Sequence, residues 1–332
     1  MHEFFRPQAW TWWVFVVSVA LGTAGVSIAV AQSFQAASES LWTIAPLFAL
    51  TLAIFVGIIL LSDPYRSRRP WVLLLAMIFG ATVPTWLAIH ANEHIVRITA
   101  DLLPQGVGAA WGAAAAGPTS EEWSKMLGVF LVMLIASNTM RRPMHGLLAG
   151  AFVGLGFQIF ENVSYAANLA TADANSNLQG ALGVTILRSL VGIASHWLYT
   201  GIIGVGVAIA LGRSIKQRSL PARIGAFIGF FLLGWGLHFI WNAPLGEDLG
   251  IVLMAIKIII FLVIFSFVAR YAFKEERSYL EQASTHLTQP APAVAAAIAP
   301  RRQRRKALKG SDKKQVKRER KQYLDQLQAL AH

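Results

Sequence analysis

A few ionisable and amide residues stand inside runs of the chain that are otherwise apolar. They are Glu121 and Glu122, Glu161, His196, His238 and Asn242. An ionisable group at membrane depth is costly, so it marks a functional position by default. Helical spacing links several of them. Glu121 and Lys125 are four residues apart and Glu122 and Lys125 three apart, so the lysine can neutralise a carboxylate. His238 and Asn242 share one helix face, as do Phe157 and Glu161, with Tyr165 a turn further on. This inventory suits water activation: a carboxylate as base, histidine as metal ligand or base, and an amide beside developing oxyanion charge. It permits zinc held by Glu161, His196 and His238, and equally a metal-free glutamate mechanism. With no cysteine in the chain, any metal site must use His, Glu or Asp.

The elements that carry these residues are membrane spans. Hydrophobic residues make up 55% of the 332 and charged ones 14%, against roughly a quarter charged in soluble domains. Apolar runs of span length cover 10–31, 41–61, 71–90, 119–137, 146–169, 181–211, 222–241 and 251–269. None alternates with period two, so the expected fold is an all-α polytopic bundle of about eight transmembrane helices and not a β-barrel. The sixth run, at 31 residues, exceeds what a bilayer needs and is expected to project or tilt. The first reads as an anchor and not as a cleavable signal.

Depth follows from the rise of about 1.5 Å per residue. Counted from the basic-loop end of each run, Glu161 and His196 lie about 22 Å in, and His238 and Glu121 about 24 Å in. The hydrocarbon core is about 30 Å thick. Four helices therefore place their ionisable groups at one level, which predicts a single site in the outer third.

Arginines and lysines follow the second, fourth, sixth and eighth runs: Arg66, Arg68 and Arg69; Arg141 and Arg142; Arg213, Lys216, Arg218 and Arg223; then the tail. The opposite loops carry Glu39, Asp173, Glu247 and Asp248. The positive-inside rule then predicts a multi-pass protein of the cell membrane with both termini cytoplasmic. The outer stretch 91–118, rich in Ala and Gly, is expected to lie in the interface or to re-enter the membrane. Residues 1–273 form the expected membrane domain, with its motif core at 118–242, and 274–300 are a linker. The stretch 301–332 is a basic tail, read as a solvated extension. Most of the +12 net charge sits there, suiting contact with anionic lipid, whereas nucleic-acid binding would want aromatics besides Tyr323.

EEWSK at 121–125, FQIFEN at 157–162, SHWLYTG with His196, and HFIWN with His238 and Asn242 come in this order on successive helices. The ordered set resembles the PrsW family of intramembrane metalloproteases. It is similar, more distantly, to the type II CAAX prenyl endopeptidases, from whose EExxxR and FxxxH patterns the chain departs at Lys125 and Glu161. The resemblance spans about 118–242. It implies cleavage of membrane-anchored proteins near the outer surface, as in the first cut of an anti-sigma factor, with Glu121, Glu122, His196 and His238 as the reactive core.

Plainer readings stand beside these. Thr119 to Glu122 spells a capping box after Pro118. Glu161, His196 and His238 could each be satisfied interhelical hydrogen bonders, and Asn242 a cap near Pro244. Arg188 and Lys257 can snorkel and are left outside the core. His90, Glu93 and His94 spell the inverted-zincin pattern, yet a polar interfacial turn accounts for them. A proton- or ion-coupled transporter is the alternative function, but the ionisable groups form one level and no ladder. A scaffold presenting the tail would leave the buried charges unexplained.

Overall fold

The computed structural model describes residues 4–174, 176–245, 249–287, 297–299, 303, 306, 309–310 and 312–330. The acidic pair Glu247 and Asp248, and most of the Pro/Ala linker and of the arginine run after it, lie outside the described residues. The described secondary structure is helical, as composition predicts, and the protein is an all-α polytopic membrane bundle.

The helices are α1 (Trp10–Ala36), α2 (Ser38–Leu61), α3 (Pro70–Leu102), α4 (Val107–Gly117), α5 (Trp123–Ile135), α6 (Pro143–Ala172), α7 (Asn177–Val191), α8 (His196–Ala210), α9 (Leu220–Asn242), α10 (Gly250–Ser284) and α11 (Lys313–Leu330). Proline occupies the first turn of α3, α6 and α9, where its missing N–H costs nothing. Seven stretches among the described residues are long and apolar enough to cross a membrane, α7 and α8 together forming one.

Two expected spans take another form. The run 119–137 is not a free-standing helix. Its α5 has only 13 residues and is continuous, through a π-helical turn at Pro118–Glu122, with α4. The rod so formed runs back along α3, after a turn at Gly106 whose φ of +86° suits glycine. The stretch 91–118 is thus partly an extension of α3 and partly the returning α4. The run 181–211 does not tilt as one long helix. It breaks at a 3₁₀ turn, Gly192–Ala194, and restarts at His196. Both halves are apolar, so hydropathy alone reads them as continuous.

The centre of the bundle is α6 against α8 and α3. Small residues let the backbones meet. A Cβ on Gly146, Gly150 or Gly154 would stand 2.1, 2.1 or 2.3 Å from the carbonyl oxygen of Gly204, Thr200 or His196. This four-residue repeat of glycine is the close-packing device of membrane helices, where lipid supplies no hydrophobic drive between them. By contrast α1, α2, α9 and α10 bury little and turn Trp13, Ile54, Leu232 and Ile259 outward.

Gly154 ties this packing to the site, because the carbonyl it meets belongs to His196. Gly154→Ala is expected to push α8 off α6, costing about 1–3 kcal/mol and lowering activity at least about tenfold through displacement of the imidazole. Gly183→Ala, which meets nothing within 4 Å, is the neutral control. Equal thermal stability and activity in the two variants would show that the contact does not position His196.

The basic loops gather at one end of the bundle, where the tail differs from expectation. Its described helical part is not a solvated extension. Its helix α11 docks through Tyr323, Leu324 and Leu327 onto Tyr65, Leu280 and Ile298. Gln328 is buried, accepting from Arg142 at 2.5 Å and donating to Glu276 at 2.7 Å. Lys314, Lys317, Arg318 and Lys321 remain exposed. One apolar stripe on an otherwise basic helix is enough to dock it, a pattern the net charge hides.

Candidate active site

The π-helical turn decides how the two paired glutamates are used. Pro118 lacks an N–H and would break a regular helix, and the wider turn absorbs it. No capping box forms, since no helix begins at Thr119. Instead Glu121 and Glu122, both buried, aim at one centre.

Lys125 lies at that centre. Its Nζ donates to Glu121 Oε2 at 3.0 Å, to Glu122 Oε1 at 2.9 Å and to His196 Nδ1 at 3.0 Å. The ammonium also stands 3.7 Å from the ring centre of Phe157. An ammonium has donors only, so His196 Nδ1 must accept, and the proton of the neutral ring is on Nε2. That nitrogen is 3.0 Å from Glu161 Oε2 and donates to it. Glu161 thereby sets the tautomer of His196. Arg188, set aside in the sequence as a snorkelling side chain, pairs with Glu161, donates to Asn162 Oδ1 at 2.7 Å and stacks 4.0 Å over Tyr165.

His238 is held the opposite way round. Its Nδ1 donates to Glu122 Oε1 at 3.1 Å, which leaves Nε2 unprotonated and 3.9 Å from Glu121 Oε2. Tyr199 stacks on its other face with ring centres 5.2 Å apart. Glu122 Oε2 accepts from the Thr200 hydroxyl at 2.9 Å. Both oxygens of Glu122 are therefore engaged within the protein.

A cavity of about 220 Å³ opens beside this centre. Glu121, Glu161, His196 and His238 line it, and Glu122 does not. Asn242 lines it too, with Nδ2 donating to Ala113 O at 3.2 Å. Asn92 completes the wall and donates to Glu121 Oε1 at 3.2 Å. Sequence reasoning missed Asn92, which stands within the His90–His94 motif but on the other face of α3. The histidines of that motif are exposed, with His90 against Trp86, and Glu93 pairs with Arg97. Lys257 lies outside the centre and donates to Trp241 O at 3.3 Å.

Glu121, Glu122, His196 and His238 each offer a donor atom, all within 4.8 Å of one another. Glu161 stands outside this group, behind His196. Two carboxylates against one ammonium leave a net negative charge when the imidazoles are neutral. Oxygen and nitrogen donors of this kind fit a divalent cation such as zinc. Lys125 claims the same lone pairs.

Carboxylates and imidazoles gathered beside a cavity in a helical membrane bundle are groups that suit an intramembrane hydrolytic enzyme. Residues 68–269 match the model of the PrsW family intramembrane metalloprotease. The chain belongs to that family. No curated protein and no solved structure matches it.

Proposed function

We propose that the protein is an intramembrane endopeptidase that cleaves membrane-anchored protein substrates near the outer membrane surface, with anti-sigma-factor-like proteins as the substrate class. One observation carries the mechanism. Of the paired carboxylates, Glu121 lines the cavity, whereas Glu122 does not and is enclosed by Lys125, His238 and Thr200.

Glu121 is then the base. It takes a proton from water as the oxygen attacks the peptide carbonyl carbon, and returns it to the leaving nitrogen as the C–N bond breaks. Asn242 stands at the cavity wall to donate to the developing oxyanion. Glu122 orients His238, and Glu161 orients His196, so each ring turns its unprotonated nitrogen toward the centre. His196 and His238 are the residues that would hold a metal, with Glu161 and Glu122 anchoring them. When bound, such an ion polarises water and carbonyl.

The positive-inside rule supports cytoplasmic termini, with the site level in the outer third of the cell membrane. The exposed lysines of α11 suit anionic lipid.

Metal analysis of purified wild type beside His196→Ala and His238→Ala, with cleavage of a single-span substrate as second readout, tests the reading. Stoichiometric metal in wild type, lost together with cleavage in both variants, is expected. Undiminished cleavage in both variants sinks the assignment of the imidazoles. Full activity of metal-stripped wild type sinks the metal alone.

A further inference from the structure

The basic-loop end holds a second cavity, about 420 Å³ in volume, that proteolysis leaves unused. Its walls come from the turn before α6 (Arg141), the turn after α8 (Arg213 and Gln217), the polar end of α10 and the turn after it (Tyr279 and His286) and the last turn of α11 (Leu330). Arg213 is fixed from behind. Its Nη1 donates to Met133 O at 2.8 Å and to Met140 O at 2.5 Å. Nε and Nη2 have no hydrogen-bond partner among the described residues. Nor does the side chain of Arg141, which is exposed.

Five of the other described arginines have carboxylate partners, whereas Arg6, Arg218 and Arg223 bond to hydroxyls or carbonyls. Arg66, Arg97, Arg142, Arg188 and Arg277 each form an ion pair. Among the described residues Arg141 and Arg213 form none. Glu275, bonded to the lining residue Ser214, is taken up by that hydroxyl, by the Ile215 N–H at 2.8 Å and by the Tyr271 hydroxyl at 3.1 Å. Burial, and then the Arg141 charge, pull the Arg213 guanidinium below its ordinary value. Burial alone gives this sign, and the facing Arg141 cation adds to it.

We propose that this cavity binds a phosphate group between Arg141 and Arg213. A guanidinium presents its N–H donors in a planar fork that matches phosphate oxygens. One such fork is already rigid here, so little rotamer freedom is lost on binding. The polar side chains of Tyr279, Gln217 and His286 add donors at the wall. The cavity opens where α8 ends and where α10 passes from apolar to charged residues, the level at which lipid headgroups sit. Two sources offer this chemistry: the headgroup of an anionic phospholipid, and free inorganic phosphate. The site is separate from the exposed lysines of α11, and it does not depend on the proteolytic reading.

The test uses the full chain in a neutral detergent. It is titrated with dioctanoyl phosphatidylglycerol, with dioctanoyl phosphatidylcholine and with inorganic phosphate, and Tm is read at each concentration. Phosphatidylglycerol should raise Tm saturably where phosphatidylcholine does not. Inorganic phosphate reproducing the rise assigns free phosphate; a rise with the lipid alone assigns the headgroup. Arg213 also ties down two carbonyls, so the decisive variant is Arg141→Gln. It should keep the ligand-free Tm and weaken binding about tenfold, the loss of one charge-assisted contact. Lys317→Gln with Lys321→Gln, on the exposed face of α11, should leave the affinity unchanged. No saturable rise with either phosphate source, or a rise that Arg141→Gln leaves intact, overturns the proposal.

Discussion

Glu121→Gln should abolish cleavage and leave the protein folded, whereas Glu122→Ala should cost stability as well as activity. The two residues are neighbours in sequence and members of one motif, yet they stand in different environments. Glu121 lines the cavity, and its lost charge leaves Lys125 still bonded to Glu122 and His196. Removing a general base costs typically about 10²–10⁴-fold in rate, so a fall of about a thousandfold is expected. The loss in stability should be only about 1.5–3 kcal/mol, the worth of a hydrogen bond made to a charge. Glu122 accepts from Lys125, His238 and Thr200, and is fully buried. Truncation strands three donors, one of them an ammonium, which costs about 3–5 kcal/mol. Thermal unfolding in detergent, read beside cleavage, separates the two effects. The opposite pattern, with Glu121→Gln active and Glu122→Gln folded but inactive, would exchange their roles.

The second large effect is expected at Lys125. Lys125→Met keeps the length of the side chain and removes its charge. Two buried carboxylates then face each other without a cation. The chelator-treated variant should lose about 3–5 kcal/mol relative to wild type. A divalent cation should recover more stability in the variant than in wild type, because the ammonium no longer claims the donor atoms. Binding at a hundredfold excess over Kd returns about 2.7 kcal/mol, enough to be read as a shift in Tm. Failure of zinc and other divalent cations to rescue the variant would favour a metal-free glutamate mechanism. Rescue that His196→Ala removes would place the ion on the imidazole.

Much of the site could be read before any fold was known. Counting rise along the apolar runs put Glu121, Glu161, His196 and His238 at one level, and these side chains do meet. Depth is a one-dimensional quantity that a helical sequence carries directly. Rotation about the helix axis is not. Arg188 and Asn92 could be assigned to helices, but which neighbour each would touch depends on how α7 and α3 are turned against α6 and the π-helical turn. Thr119 to Glu122 spelled a cap because a local motif cannot show that another helix runs into it. The tail read as solvated because net charge conceals a three-residue apolar stripe.

The sequence by itself determined the membrane class, most of the spans, the shared level of the buried charges and the residue types available for chemistry. These follow from hydropathy and from the fixed rise of a helix, both properties of consecutive residues. Only the tertiary structure decided that Glu121 meets the cavity while Glu122 is enclosed, that Glu161 stands behind His196, and that the last helix closes over the basic end. Those outcomes rest on contacts between segments far apart in the chain: glycine-mediated approach of α6 to α8, one widened turn, and a lysine whose length lets it reach three partners at once.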